Sequence, residues 1–296
     1  MGKKVALALS SGGARGLAHI GVIEMLEKEG FEITSIAGSS MGAVIGGFYA
    51  AGKLDLYRKW ICSLQRLDVF KLMDFTFSPQ GFIKGEKVFK ELQTLIEDIN
   101  IEELDIPYVA VASDLINQRE VIFKEGSLYN AMRASAAIPT ILQPAPFENS
   151  QLVDGGVLNP VPISQLKRNI DELLVAVNVN SPIPYEPFGN KPAPPGSALG
   201  RFETLLNKWG ISKKEQKLPL MKKLGFFETM SRSVDIMQDR MIEMTIEKYQ
   251  PDIYVEVSRE TCSTFQFEKA QAIINSGKTA WDRAYQQYMQ KEEVIS

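Results

Sequence analysis

The sequence predicts an α/β fold built on a parallel sheet, and two observations carry that prediction. Strand, glycine turn and helix patterns follow one another twice within the first 52 residues. Short apolar runs bounded by turn residues then recur between amphipathic stretches. In the first unit, residues 5–9 are an unbroken apolar run, Ser10-Ser11-Gly12-Gly13 is the turn, and Leu17, Ile20, Ile23 and Leu26 fall at helical spacing over 17–29. The second unit has a strand at 33–37, a turn at 38–42 and an apolar helix at 43–51 that Gly52 ends. Further strands are expected at 108–112, 120–123, 173–177 and 253–257, with helices at 85–99 and 268–290. Six prolines between Pro182 and Pro195 read as an extended connector. Beyond it Phe227, Met230, Val234, Met237, Met241 and Met244 alternate spacings of three and four, the mark of a long amphipathic helix. Because methionine fills irregular interiors readily, this stripe is expected to pack into the core. The expected organisation is a core over 1–181, a connector and helical cap over 182–250, and a last strand and C-terminal helix over 251–296 that complete the core.

One large core accommodates a chain of 296 residues. Hydrophobic residues make up 45% and charged residues 23% of it, the balance of an ordinary folded protein rather than a disordered one. The net charge of -3 lacks the basic excess that a nucleic-acid partner demands. Cys62 and Cys262 stand 200 positions apart, with neither metal-ligand spacing nor a disulfide framework. No metal is expected, and a cytoplasmic location fits best. The apolar stretch after Met1-Gly2-Lys3-Lys4 is too short for a signal peptide. The uncharged window 33–52 matches a bilayer in length. Its five glycines, with Thr34, Ser35, Ser39 and Ser40, make a poor span, and a buried core segment is expected instead.

Gly38-Ser39-Ser40-Met41-Gly42 matches G-x-S-x-G at the junction of a predicted strand and a predicted helix, the context in which a turn lifts a nucleophilic serine above a sheet edge. So tight a turn needs glycine at its flanks, and the helix behind it offers partial positive charge to a developing anion. A serine nucleophile needs a base. The only histidine, His19, precedes Ser40 inside the first helix rather than following it late in the chain, so a structural role is expected of it. Asp154, in Val153-Asp154-Gly155-Gly156, is the candidate base, because two glycines after an aspartate let the backbone turn sharply and bring the carboxylate against another loop. Standing alone it reads as a turn aspartate capping its own backbone; beside the serine turn it reads as a partner. Gly12-Gly13-Ala14-Arg15-Gly16 opens the first helix with backbone N–H groups suited to an oxyanion, and its spacing fits neither a dinucleotide fingerprint nor a P-loop. Arg15 has two readings, a charge-assisted contact to the loop or substrate and a brace for the helix start.

Together with Leu17-Ala18-His19-Ile20-Gly21-Val22, Ala112-Ser113-Asp114-Leu115, Ala136-Ala137-Ile138-Pro139 and Asn159-Pro160, these motifs stand in the order seen in patatin-like phospholipases. The chain resembles the bacterial members of that family from residue 5 to about 257. The resemblance implies a three-layer α/β/α fold with a mostly parallel central sheet and a helical cap, and a Ser–Asp dyad in place of a triad. It implies hydrolysis of a carboxylic ester in a lipid or acyl-ester substrate, with Ser40 as nucleophile and Asp154 as proton acceptor. Gly12, Gly13, Ala14 and Arg15 are then expected to form the oxyanion hole, and Gly38, Gly42, Gly155 and Gly156 to shape the two turns, with no cofactor and no calcium dependence. The family usually has three consecutive glycines where this chain has Ser11-Gly12-Gly13. A soluble esterase or thioesterase acting on monomeric acyl compounds and a low-turnover lipid-binding regulatory protein are the alternatives.

Between residues 201 and 224, Arg201, Lys208, Lys213, Lys214, Lys217, Lys222 and Lys223 are offset only by Glu203 and Glu215, a local charge of +5 in an acidic chain. Leu205, Leu206, Trp209, Leu218, Leu220 and Met221 lie among them, with Phe226 and Phe227 just beyond. Residues 201–227 therefore read either as a peripheral contact with anionic membrane or as a cap helix whose lysines are simply solvated. In the first case each basic residue contributes about 1 kcal/mol near a charged surface. Vesicle co-sedimentation is then expected to show binding to anionic but not zwitterionic bilayers, weakened by salt and by replacing Lys213, Lys214, Lys217, Lys222 and Lys223 with Gln. Binding that is absent, or indifferent to both, leaves the cap reading.

Overall fold

The computed structural model describes residues 3–78, 81–139, 141–185 and 226–295; the basic segment at 201–224 and most of the proline-rich connector lie outside them. The chain runs from β1 (Lys4–Leu9) through a 3-10 turn (Gly13–Leu17) to α1 (Ala18–Lys28), then β2 (Glu32–Ser39), α2 (Met41–Ala50), α3 (Leu54–Ser63) and α4 (Arg66–Leu72). A small hairpin of β3 (Phe75–Ser78) and β4 (Gly81–Ile83) precedes α5 (Glu86–Leu95), β5 (Tyr108–Asp114), β6 (Arg119–Phe123) and α6 (Leu128–Ser135). Next come β7 (Ala145–Phe147), β8 (Ser150–Asp154) and β9 (Leu173–Ser181), followed by α7 (Phe226–Tyr249), β10 (Ile253–Ser258) and α8 (Ala270–Ile295).

Strands β10, β9, β1, β2 and β5 lie parallel in that order. Successive side chains of a strand point to opposite faces, so β1 sends Val5, Leu7 and Leu9 into one cluster and Ala8 into another. On the first face α1, α2 and α8 bury Ile20, Ile23, Phe48, Ile273 and Trp281 with Leu7, Leu9, Ile36, Val177 and Val255. On the second, Ile242 of α7 joins Val161 and Ile163 over Ala8, Leu174 and Ala176. The result is the three-layer α/β/α arrangement. The uncharged window 33–52 becomes β2 and α2 in its interior, and no described helix is long and apolar enough to cross a membrane.

The parallel order ends at β5. Strand β6 lies antiparallel along one edge of it, from Ala110 opposite Phe123 to Asp114 opposite Arg119. The other edge is shared. Strand β2 occupies its first half and ends with Ser39 opposite Val111; β8 takes the second half antiparallel and ends with Asp154 opposite Ala112. Two strand ends thus meet head to head along β5. Asp114 secures the arrangement: its carboxylate accepts from the Asn117 side chain at 2.8 Å, from the Ile116 and Asn117 N–H groups at 3.0 Å each, and from the Ser150 hydroxyl at the start of β8. The Asn117 and Ser150 hydrogen bonds hold the Asp114 carboxyl well below the usual carboxylate range.

The methionine stripe departs from its expected place in the core. Met237 and Met244 are 57% and 55% exposed, whereas α7 buries Ile242 with Ile246 and Tyr249 beside it. The buried line lies one residue along from the stripe, about 100° around the helix, so the face that packs is the neighbour of the one the spacing picks out.

Helices α1 and α8 touch backbone to backbone. A methyl group at Gly21 would lie 2.0 Å from the Ile274 carbonyl oxygen, and one at Gly277 would lie 2.0 Å from that of Ala18. Glu24 of α1 adds ion pairs to Lys278 of α8 at 2.5 Å and to Arg58 of α3 at 2.7 Å. Main chain in two packed helices yields less readily than the end of a side chain. Gly21→Ala is therefore expected to lower the unfolding free energy by about 1–3 kcal/mol, read as a fall in the midpoint of thermal or urea unfolding.

Candidate active site

Strand β2 passes into α2 at Ser40, whose backbone sits at φ 55° and ψ -124°, a region ordinary residues avoid. The surroundings impose this conformation. A methyl group at Gly38 would lie 2.5 Å from the Ala43 nitrogen, and one at Gly42 would lie 2.3 Å from the Leu9 carbonyl oxygen, so β1, β2 and α2 close around the turn only with glycine at both flanks. The Ser40 N–H donates to Ser135 Oγ at 2.9 Å, and that hydroxyl donates to the Val111 carbonyl at 2.6 Å. Ser135, on α6, thereby ties the serine's backbone to β5.

The Ser40 hydroxyl donates to Asp154 Oδ2, while Asp154 Oδ1 accepts from the Gly156 N–H at 2.8 Å. The Asp154 N–H is itself given to the Ala137 carbonyl at 2.9 Å. Gly155 leaves no space for a side chain, since a methyl group there would lie 2.1 Å from the Val111 carbonyl oxygen. Burial pushes the Asp154 carboxyl up to about 6, against the hydrogen bonds from Ser40 and Gly156 that pull it down. Such a group is charged at neutral pH and still basic enough to take a hydroxyl proton.

The glycine loop lies against both turns. A methyl group at Gly16 would sit 2.5 Å from Met41 Cβ, and one at Gly156 would sit 2.8 Å from Ser11 Oγ. The Ala14 N–H is committed to the Thr264 carbonyl at 2.8 Å and the Arg15 N–H to the Gly12 carbonyl at 3.2 Å. Of the four residues expected at the oxyanion hole, Ala14 and Arg15 thus have their N–H groups engaged, while those of Gly12 and Gly13 find no acceptor among the described residues. The Arg15 guanidinium donates to the Arg259 carbonyl at 3.4 Å. His19 is wholly buried, and its Nε2 donates to the Ser10 carbonyl at 2.9 Å. Desolvation lowers its pKa to about 4, so the ring is neutral. Among the described residues, no group of three or more His, Cys, Asp and Glu is placed to hold a metal ion.

Four supporting residues escaped the reading of the sequence. Ser135 and Thr264 are named above; Asn180 Nδ2 donates to the Ser11 carbonyl at 2.8 Å, and Gln238 of α7 donates to the Gly156 carbonyl at 2.9 Å. Only Ser135 had a signal nearby, since it immediately precedes Ala136-Ala137-Ile138-Pro139.

An α/β/α sandwich with a strained serine on a strand-to-helix turn, bonded to a buried aspartate beside a glycine loop, is the architecture of a patatin-type protein. The model of the patatin-like phospholipase family matches residues 7–167, and the chain belongs to that family. An uncharacterized NTE family protein of Mycobacterium tuberculosis is 33% identical over 331 residues, an alignment covering 96% of this chain and 92% of the relative. Lysophospholipase NTE1 of Scheffersomyces stipitis is 26% identical over 289 residues, covering 95% of this chain and 18% of that longer protein.

If Asp154 must be ionised to receive the Ser40 proton, the rate at which a fluorophosphonate modifies Ser40 falls about tenfold per pH unit below the carboxyl's pKa. The inflection is expected at about 6, with a plateau above it. A labelling rate that stays flat well below that pH would exclude this carboxyl as the base.

Proposed function

We propose that the protein is a serine acyl hydrolase that cleaves a carboxylic ester of a lipid through Ser40 and Asp154. Membership of the patatin-like phospholipase family supports a lipid hydrolase. The finer reading rests on the hydrogen bond from Ser40 Oγ to Asp154 Oδ2, in a chain whose one histidine is bonded elsewhere. Ser40 Oγ attacks the acyl carbon while Asp154 takes the hydroxyl proton, and the carbonyl oxygen becomes an oxyanion facing the N–H groups of Gly12 and Gly13. Collapse breaks the ester C–O bond, the departing alcohol takes the proton from Asp154, and the acyl group remains on Ser40. Water then attacks in the same manner with Asp154 as base, releasing the fatty acid. Relatives that carry this region within longer chains are lysophospholipases by name, so single-chain phospholipids are the first substrates to offer.

Ser40→Ala is expected to abolish both ester hydrolysis and fluorophosphonate labelling without altering the circular dichroism spectrum. Asp154→Asn, whose amide cannot accept the serine proton, is expected to lower turnover by roughly 10²–10⁴-fold. His19→Ala, compared per folded molecule, is expected to keep the larger share of activity. Labelling that persists in Ser40→Ala, or the opposite ranking of the other two variants, contradicts the dyad.

A further inference from the structure

Asn180, near the end of β9, is buried and held through its backbone: its N–H donates to Asn178 Oδ1 at 2.9 Å, and its carbonyl accepts from the Arg259 guanidinium at 2.7 Å. Its side chain makes one described hydrogen bond, from Nδ2 to the Ser11 carbonyl at 2.8 Å, while Oδ1 is buried without a partner among the described residues. An interior amide with half of its hydrogen bonds unmade raises the free energy of the folded state, so stability alone is a poor reason for an asparagine here. The Ser11 carbonyl also accepts from Ser10 Oγ at 3.0 Å, and that hydroxyl in turn accepts from the Val179 N–H at 3.0 Å.

What these bonds fix is a peptide plane. The Ser11–Gly12 bond is trans, so its C=O and N–H point in opposite directions within one rigid unit. Strand β1, which leads into this loop, lies between β9 and β2 in the sheet. Asn180 draws the Ser11 carbonyl to the β9 side, which turns the Gly12 N–H to the β2 side, where Ser40 stands. The loop runs against the serine turn there: a methyl group at Gly42 would sit 2.6 Å from the Ser10 carbonyl oxygen, and one at Gly16 would sit 2.5 Å from Met41 Cβ. The Gly12 N–H itself has no acceptor among the described residues. Hydrogen bonds to a carbonyl also polarise its amide, which makes the N–H at the other end a stronger donor.

We propose that Asn180 is a positioning residue that aims the Gly12 N–H at the oxyanion, acting through the Ser11–Gly12 peptide, with Ser10 Oγ as a second brace on the same carbonyl. The proposal rests on the acyl-hydrolase reading above, and Asn180 touches no reacting atom in it. A donor already in place needs no reorganisation as charge develops on the acyl oxygen, whereas a peptide free to swing must be ordered during the step. The tetrahedral intermediates of acylation and of deacylation both carry that charge, so the effect falls on both steps. The uncharged ester carbonyl of the ground state gains less from it, which separates turnover from substrate binding.

Asn180→Ala removes the amide and keeps both backbone hydrogen bonds; Asn180→Asp keeps the shape but sets a carboxylate oxygen against the Ser11 carbonyl. With p-nitrophenyl butyrate as substrate, kcat is expected to fall about tenfold in Asn180→Ala, the value of one net hydrogen bond, and further in Asn180→Asp, while KM stays within about twofold of wild type. Affinity for an alkyl trifluoromethyl ketone, whose adduct with Ser40 carries an oxyanion, is expected to fall by the same factor. The inflection of the rate at about pH 6 set by Asp154 is expected to stay in place. Ser10→Ala removes the second brace and is expected to give the same pattern, so the test stands even if an Asn180 variant fails to fold. Turnover and ketone affinity that remain within about twofold of wild type overturn the proposal, as does a loss that appears in KM or in a shifted inflection instead. A wild-type protein that neither hydrolyses the ester nor forms the ketone adduct refutes the hydrolase reading instead, so the two failures are distinguishable.

Discussion

Strand β5 has two edges, and β6 lies on one from Ala110 to Asp114, overlapping the pairing of both β2 and β8, so those two strands have to divide the other. The rest of the site follows from that division. β2 must stop at Ser39, and the chain turns away at Ser40; β8 must stop at Asp154, and Gly155 lets the chain leave without striking Val111. The two side chains meet because their strands end against adjacent residues of β5, Val111 and Ala112. Asp114 prevents β8 from sliding, since its carboxylate grips Ser150 at the far end of that strand. Register errors in a sheet move side chains to the opposite face, so a pairing pinned at both ends is also a pairing that keeps Asp154 aimed at Ser40.

Holding Ser40 at positive φ costs about 1–3 kcal/mol, the usual range for such backbone strain. Contacts on three sides sustain it: the Ser135 hydroxyl on the Ser40 N–H, the close approach of β1 at Gly42, and the first turn of α2. Asp154 is held likewise, by Ala137 at its N–H and Gly156 at its Oδ1. Ser40 and Asp154 therefore both belong to the sheet and its immediate connections.

How much was legible in the sequence depended on how local each signal was. The elbow could be read because its flanks need glycine and its strand and helix carry strong apolar patterns on either side. Strand β8 could not, because Ser150–Asp154 is short and only its last residues are buried; its place is set by pairing with β5 rather than by any periodicity of its own. Asp154 was readable as a turn aspartate, but that its carboxyl meets the serine hydroxyl depends on the shared edge, a long-range fact. The glycine loop shows the same limit: Gly12, Gly13, Ala14 and Arg15 look equivalent along the chain, and it is Thr264, 250 residues beyond Ala14, that occupies the Ala14 N–H. The methionine stripe misled because spacing identifies an amphipathic helix without saying which of two adjoining apolar lines will meet the sheet.

The raised pKa of Asp154 has a consequence for the molecule's endurance. In the unfolded chain this carboxyl titrates near 3.8, in the folded one near 6, so between those values the folded state binds more protons and stability declines as the pH rises. The penalty is then fully present above the higher value, on the order of 3 kcal/mol. The charged form, which the proposed mechanism requires, is thus the one the fold tolerates least. Acid relieves a buried charge, so under the proposed dyad the ionisation that arms the base is also the one that weakens the fold.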